Sequence, residues 1–278
     1  MEIAADASSQ QYAVFGHPIA HSWSPFIHGL FARQTGRLMT YRKIDAPPET
    51  FLDRAAEFFQ QGGQGGNITA PHKTTALKLV SQLTPRAERA GAVNTLAKQR
   101  DGILGDNTDG AGLVRDLQEN LGLSLTGRRV LILGAGGATR GILAPLLALD
   151  LNSITIANRT AERAQKLAGS FGDLGAVRGC GLNDIDVVPF DLIINATSAG
   201  IDNDVPAVPR RAFGAQTFCY DIAYSKSSTP FTRMAQRLGC QRVTQGWGML
   251  VEQAAESFNI WHGVRPDTAG VIAVLTAE

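Results

Sequence analysis

The sequence predicts an α/β protein of two domains, the second built on a doubly wound parallel sheet. Three observations carry this expectation. Val130-Leu-Ile-Leu-Gly134-Ala-Gly136-Gly137-Ala138-Thr139-Arg140-Gly141 runs four apolar residues into a glycine cluster, with a second apolar run from Ile142. That pattern is a buried strand, a tight turn and a helix start. Short β-rich runs then alternate with helical patterns through residues 125–245, the spacing of parallel strands joined by crossover helices. Before them, short apolar runs are interleaved with dense polar side chains. A length of 278 residues suits two domains.

The ordered chain should begin with strand Tyr12-Ala-Val-Phe15, after a frayed tail, Met1 to Gln11, that lacks the marks of a signal peptide. A polar loop, His21-Ser22-Trp23-Ser24-Pro25, leads into a helix carrying Phe26, Ile27, Leu30 and Phe31 at helical spacing. Ser24 is expected to cap that helix and Pro25 to occupy its first turn. A strand at 39–44, a helix at 49–61 and a short strand at 66–69 follow. Pro71 should open a helix carrying Lys73, and Thr84-Pro85 another. Residues 92–97 and 103–104 read as a hairpin around Asp101-Gly102. A helix at 111–121 then crosses to the second domain.

Strands are expected there at 129–133, 153–157, weakly at 175–177, and at 192–195, 218–222 and 241–244, with helices at 142–149, 161–171 and 230–238. Past Gly246-Trp247-Gly248, a helix with Leu250, Val251, Ala254, Ala255 and Phe258 on one side should return to wall the cleft between the domains. The domains are therefore placed at 1–110, completed by 247–278, and at 111–246.

The glycine turn points to a dinucleotide. Gly134 lets the chain turn sharply, and Gly136 lets backbone N–H groups approach a pyrophosphate at a helix N-terminus. Thr139 stands where the third glycine of the pattern belongs. The strand Ser153-Ile-Thr-Ile-Ala157 ends at Asn158-Arg159-Thr160, without the carboxylate that holds a ribose 2′-hydroxyl. An arginine and a hydroxyl there suit a 2′-phosphate, so the cofactor is read as NADP.

Composition excludes other classes. A net charge of +1 gives no field for nucleic acid. Cys180, Cys219 and Cys240 form neither a disulfide framework nor a redox pair, which fits a reducing cytoplasm. No apolar run approaches the roughly 18–20 residues of a membrane helix. His17, His21, His28, His72 and His262 have no metal-ligand spacing, and His72 is expected on the surface.

Ser22, Ser24, Asn67, Thr69, Lys73, Asn94, Asp106, Asn107, Thr108 and Asp109 fall at strand ends and helix starts, where an open α/β sheet binds ligands. Ser24, Thr69 and Asp109 each have an alternative reading as helix caps. Together they offer hydroxyls, amides, an ammonium and a carboxylate, which is what a small polyhydroxy acid needs.

The motifs His21-Ser-Trp-Ser-Pro25, Asn67-Ile-Thr-Ala-Pro-His-Lys73, Gly91-Ala-Val-Asn-Thr95, Gly105-Asp-Asn-Thr-Asp-Gly110, Gly134-Ala-Gly-Gly-Ala138, Asn158-Arg-Thr160, Asn195-Ala-Thr-Ser198 and Gly248-Met-Leu-Val-Glu-Gln253 occur in this order. In them the chain resembles the shikimate dehydrogenase family over nearly its whole length. The resemblance implies reversible, NADP-linked oxidation of the shikimate 3-hydroxyl in the aromatic amino acid pathway. By position it implies Ser22 and Ser24 on the substrate carboxylate, with Thr69, Asn94, Asp109, Tyr224 and Gln253 around the ring. Lys73 and Asp109 become the catalytic pair. Gly134, Ala135, Gly136, Gly137 and Ala138 are placed on the pyrophosphate. Asn158, Arg159, Thr160, Ala161, Glu162 and Arg163 are placed at the adenosine phosphate end, and Ile222 and Gly246 near the nicotinamide. No metal is implied, and a homodimer is left open.

Trp23 departs from the lysine or leucine common in the family, Gln245 from an acidic residue and Trp247 from leucine. Two other readings stay open: a broader shikimate/quinate dehydrogenase accepting NAD, and a ligand sensor without catalysis. An acidic residue at Asn158-Arg159 would mark the first, and loss of Lys73 or Asp109 the second; neither change is present. A methyltransferase on the same nucleotide fold would leave the first domain without a place.

Overall fold

In a computed structural model the described residues are 9–197 and 207–277, so Ser198 and residues 1–8 of the tail lie outside them. The chain forms two compact units, Met1–Gly112 with Val251–Ala273, and Leu113–Leu250 with Val274–Glu278. Among the described residues no helix is long and apolar enough to cross a membrane.

The first unit is built on a mixed six-stranded sheet. Its strands are β1 (Gln10–Gly16), β2 (Met39–Asp45), β3 (Gly65–Ile68), β4 (Gln82–Leu83), β5 (Thr95–Gln99) and β6 (Gly102–Asp106), in the order β2-β1-β3-β5-β6-β4. β1 lies parallel to β2 and β3, while β5 and β6 pair antiparallel as the expected hairpin. Phe15, Ile68 and Leu96 from these strands pack with Phe51, Ala55 and Phe58 of α2 (Phe51–Gln60) in one core. That burial holds the carboxyl end of β3 and the turn after it in fixed places.

Two local expectations fail here. Helix α1 (Ser24–Thr35) has Trp23, not Ser24, at its cap position, and no side chain caps it. Ser24 is already helical, and its own N–H donates to Ser22 Oγ at 3.3 Å. Pro71 does not open a helix. The Lys73 carbonyl accepts from Val93 N–H at 2.7 Å and the Thr69 carbonyl from His72 N–H at 3.0 Å, so tertiary pairing and a tight turn take the groups a helix would use. Helical structure resumes only as a short 3-10 segment at Thr75–Leu79, which leaves Lys73 on the turn. His72 is likewise not on the surface. It is 1% exposed, stacks on Phe51 at 4.2 Å and bonds the Ala46 carbonyl at 2.6 Å.

The second unit is an all-parallel six-stranded sheet in the order β12-β11-β10-β7-β8-β9. Its strands are β7 (Arg129–Leu133), β8 (Ser153–Asn158), β9 (Val177–Gly181), β10 (Leu192–Asn195), β11 (Phe218–Asp221) and β12 (Arg242–Gln245). Strand order reverses between β7 and β10, and a sheet of this kind binds ligands outside the carboxyl ends of its strands at such a point. Helices α5 (Gly137–Leu147) and α6 (Ala161–Gly169) follow β7 and β8. One apolar core joins Val130, Ile132, Ile142, Leu146, Ile154, Ile156 and Leu167. Helix α5 starts at Gly137, five residues before the apolar run that marks it in the sequence.

Strand β9 lies close under α6. A Cβ at Gly179 would stand 2.2 Å from the Ala164 carbonyl carbon, backbone that cannot swing aside. Gly179→Ala should therefore cost about 1–3 kcal/mol of stability as overpacking. Calorimetry should show a lowered thermal midpoint, and an unchanged midpoint would mean that the strand and helix separate freely.

Candidate active site

The polar residues of the first unit converge at the carboxyl ends of β3 and β6 and the start of α4 (Asp109–Arg115). Lys73 Nζ donates to Asp109 Oδ2 at 2.5 Å, with side chains 16% and 5% exposed. Asn94 Nδ2 donates to the other carboxylate oxygen, Oδ1, at 2.9 Å, to Thr108 Oγ1 at 2.8 Å and to Gln253 Oε1 at 3.3 Å. Asp109 thus does not cap α4; both its oxygens are spent on Asn94 and Lys73. Thr108 N–H donates to Asn94 Oδ1 at 2.8 Å, which fixes the direction of that amide.

The segment carrying Asp109 is held from behind. Arg86 grips Asp106 through Nε at 2.7 Å and Nη2 at 2.8 Å, a bidentate clamp, and Thr84 Oγ1 donates to the same carboxylate at 2.6 Å. Helix α8 (Trp247–His262) supplies Gln253, and a Cβ on Gly112 would lie 2.7 Å from the Gln253 backbone nitrogen. Glycine at 112 lets α4 approach α8 closely enough for Asn94 to reach Gln253.

Ser22 and Ser24 lie together, Oγ to Oγ at 3.2 Å, both buried. The Tyr41 hydroxyl donates to Asn67 Oδ1 at 2.7 Å, and burial raises its phenol well above the usual range. The Thr69 hydroxyl makes no hydrogen bond among the described residues and is half-buried just past β3. Tyr41 and His28 were missed by sequence reasoning. An aromatic residue in a strand and a histidine on an apolar helix face read as core, and only the fold sets them against Ser24 and Asn67.

In the second unit, Gly134 has φ +102 and a Cβ there would sit 3.0 Å from the Ala196 carbonyl oxygen, so glycine is required. Gly136 caps α5 and faces open space. The first turn of α5 carries no acidic residue, so its free N–H groups are open to an anion. Thr139 replaces the third glycine without penalty because its buried hydroxyl donates to the Gly134 carbonyl at 2.8 Å. Asn158 Nδ2 donates to the Thr160 carbonyl at 2.9 Å, holding the turn that presents Arg159.

The side chains of Arg140, Arg159 and Arg163 make no ion pair among the described residues, and Arg159 and Arg163 are exposed. These residues fit a dinucleotide with an additional phosphate. Ile222 and Gly246 are adjacent: Gly246 N–H donates to the Ala223 carbonyl at 3.2 Å, and a Cβ on Gly246 would stand 2.3 Å from the Ile222 carbonyl.

Tyr224 belongs to this second unit, where its ring meets Trp247 at 4.7 Å and burial pushes its hydroxyl up to about 12. Trp247, a departure from the family pattern, is 6% exposed and packs under that ring. Gln245, another departure, accepts from Ser225 N–H at 2.7 Å and donates to the Ser227 carbonyl at 3.1 Å, a two-way clamp that a carboxylate would make only in part.

A unit with a parallel doubly wound sheet and a glycine turn, and in the same chain a second unit carrying a lysine–aspartate pair among amides and hydroxyls, define a dehydrogenase of the nicotinamide-nucleotide type. Family models described as shikimate dehydrogenase substrate binding domain, shikimate/quinate 5-dehydrogenase and shikimate 5'-dehydrogenase C-terminal domain match residues 14–96, 116–224 and 246–276. The chain belongs to the shikimate dehydrogenase family. It is 53% identical to the shikimate dehydrogenase (NADP(+)) of Methylococcus capsulatus, covering 96% of each chain. An Ael1 enzyme from Pseudomonas putida matches with TM-score 0.89 and 43% identity, over 97% of this chain and 99% of that one. The Thermus thermophilus shikimate 5-dehydrogenase, solved with NADP(H) and shikimate, matches with TM-score 0.83 and 32% identity, over 96% and 98%.

Proposed function

We propose that this chain catalyses the reversible NADP-linked oxidation of shikimate to 3-dehydroshikimate, a step of chorismate and aromatic amino acid biosynthesis. One observation carries the site assignment. Lys73 Nζ and Asp109 Oδ2 lie 2.5 Å apart while Asn94 holds the other aspartate oxygen. Alcohol oxidation removes a hydride from carbon and a proton from oxygen. The bound nicotinamide supplies the hydride acceptor. The proton and the developing alkoxide fall to the protein.

Lys73 and Asp109 act as a coupled pair that shares this proton. Asn94, Gln253 and Thr69 hold the ring hydroxyls, Tyr224 joins them on the substrate, and Ser22 and Ser24 take the carboxylate. In the second unit, residues 134–138 bind the pyrophosphate, residues 158–163 the adenosine end, and Ile222 and Gly246 border the nicotinamide. Apart from Tyr224, substrate work thus falls to the unit built around residues 1–110 and 247–278, and cofactor work to 111–246.

The deciding experiment is an absorbance assay at the nicotinamide band, crossing shikimate and quinate with NADP and NAD. Turnover highest with shikimate and NADP is expected, and turnover of quinate with NAD alone would overturn the reading. The three cysteines, all free and buried, support a cytoplasmic setting. A homodimer is carried forward as part of the proposal; light scattering should then give a mass near twice 29.6 kDa.

Ser22 and Ser24 give a separate test. Ser22→Ala should raise the KM for shikimate roughly 10–150-fold, as expected for a lost hydrogen bond to a charged group, with a much smaller effect on an analogue lacking the carboxylate. Equal losses on both compounds would move the carboxylate site elsewhere.

A further inference from the structure

We propose that His28 is a positioning residue: its Nε2–H sets the direction of a hydrogen-bond chain that runs through Asn67, Thr95 and Ser257 and ends on Asn94 and Gln253. The proposal rests on the assignment of the Lys73–Asp109 pair above.

His28 sits on α1, fully buried, stacked on Tyr41 at 4.3 Å and close to Trp261 at 5.2 Å. Its Nε2 is 3.2 Å from Asn67 Oδ1, and its Nδ1 has no partner. A single proton at Nε2 makes the one bond on offer and leaves only a lone pair at Nδ1, whereas a proton at Nδ1 would bury an N–H with no acceptor. Burial also drives the imidazole down to about 3 despite the Asn67 bond, so the ring carries one proton.

Asn67 Oδ1 also accepts from the Tyr41 hydroxyl at 2.7 Å. A hydroxyl can reverse its role, but the histidine N–H can only donate. With its oxygen held, the Asn67 amide turns its NH2 toward Thr95 Oγ1 at 3.3 Å, Ser257 Oγ at 2.9 Å and the Asn94 carbonyl at 3.3 Å.

Both hydroxyls then receive a hydrogen, lie 2.8 Å from each other, and have outward acceptors for their own protons. Ser257 donates to the Gln253 carbonyl at 3.0 Å, and Thr95 to Asn94 Oδ1 at 2.8 Å. Asn94 Oδ1, which also accepts from Thr108 N–H, is thus held by two donors, and Nδ2 faces Asp109 Oδ1. A reversed Asn67 amide would present oxygen to the two hydroxyls and draw both protons inward. Asn94 Oδ1 and the Gln253 backbone carbonyl would lose those bonds, and the Asn94 amide that faces Asp109 would be left with the Thr108 N–H as its remaining anchor at Oδ1. His28 therefore touches no reacting atom but holds the Asn67 amide that, through Thr95, supports the Asn94 amide facing Asp109.

The test compares wild-type protein with His28→Leu, His28→Gln and Thr95→Val in steady-state oxidation of shikimate by NADP. Thermal midpoints and the side-chain amide NMR signals of Asn94 are measured alongside. His28→Leu and Thr95→Val should lower kcat about 10–100-fold, the scale of a small misplacement remote from the chemistry, with the KM for NADP unchanged. His28→Gln keeps an N–H donor at the ε position and should recover most of the loss, which a merely structural role would not require.

The proposal fails if folded His28→Leu keeps kcat within about twofold of wild type, well inside that range. It also fails if His28→Gln is as slow as His28→Leu. Should His28→Leu not fold, Thr95→Val decides by the same kcat criterion. Absence of shikimate oxidation by the wild-type protein would instead overturn the functional reading. The chain is then read from the Asn94 amide signals, which must shift in Thr95→Val and in any folded His28→Leu; unmoved signals overturn it.

Discussion

Lys73→Ala should lower kcat by a factor of about 10²–10⁴, the usual range for a lost acid–base group, with only a modest change in the KM for shikimate. The expectation follows from the Lys73 ammonium lying 2.5 Å from Asp109, in a cluster where Asn94, Gln253 and Thr108 supply other polar partners. Those partners keep ground-state binding largely intact while the proton path is lost. Lys73→Arg should not restore turnover, because a guanidinium cannot give up its proton. Asp109→Asn should be impaired as well. The double variant should be little worse than the poorer single one, since the two groups act as a unit. Stopped-flow and steady-state measurements at fixed pH check this. Near-normal kcat with a raised KM would make Lys73 a binding residue and require another proton carrier.

Arg159→Ala should raise the KM for NADP by about 10–100-fold while changing that for NAD little. This is the scale of a lost charged hydrogen bond, and a guanidinium matches phosphate in bidentate fashion. The motive is the end of β8, where Asn158 pins the turn and Arg159 stands exposed without an ion pair among the described residues. Parallel titrations with the two cofactors give the answer. Equal damage to both would show that Arg159 shapes the turn rather than reading the phosphate, and Arg163 would then be the next residue to vary.

The central strands β7, β8, β10 and β11 were legible because each is a buried, largely apolar run, whereas β9, Val-Arg-Gly-Cys-Gly, is not, and only its first residue, Val177, falls in the strand expected at 175–177. The glycine turn was legible for a covalent reason. A positive φ at residue 134, with the Ala196 carbonyl 3.0 Å from where a Cβ would stand, admits little but glycine, so the backbone requirement is written in the residue type. The polar residues around Asp109 were legible as a set, since hydroxyls, amides and a carboxylate at strand ends rarely serve a core.

Their arrangement was not legible. Ser24 has the composition of a helix cap, but its N–H and its hydroxyl oxygen both engage Ser22 Oγ and the helix starts without one. Pro71 has the composition of a helix start, yet the bond from Val93 to the Lys73 carbonyl holds that stretch as a turn and aims the ammonium at Asp109. His72 looks like a surface residue beside a lysine and is instead stacked flat on Phe51. In the last two cases a local preference of about 1 kcal/mol competes with burial and hydrogen bonds contributed by residues 20 to 40 positions away. Local pattern therefore specified strands, helices and the glycine turn. Which oxygen of Asp109 meets Lys73, and which way Asn67 and Asn94 turn their amides, depends on partners that meet only when distant segments pack together.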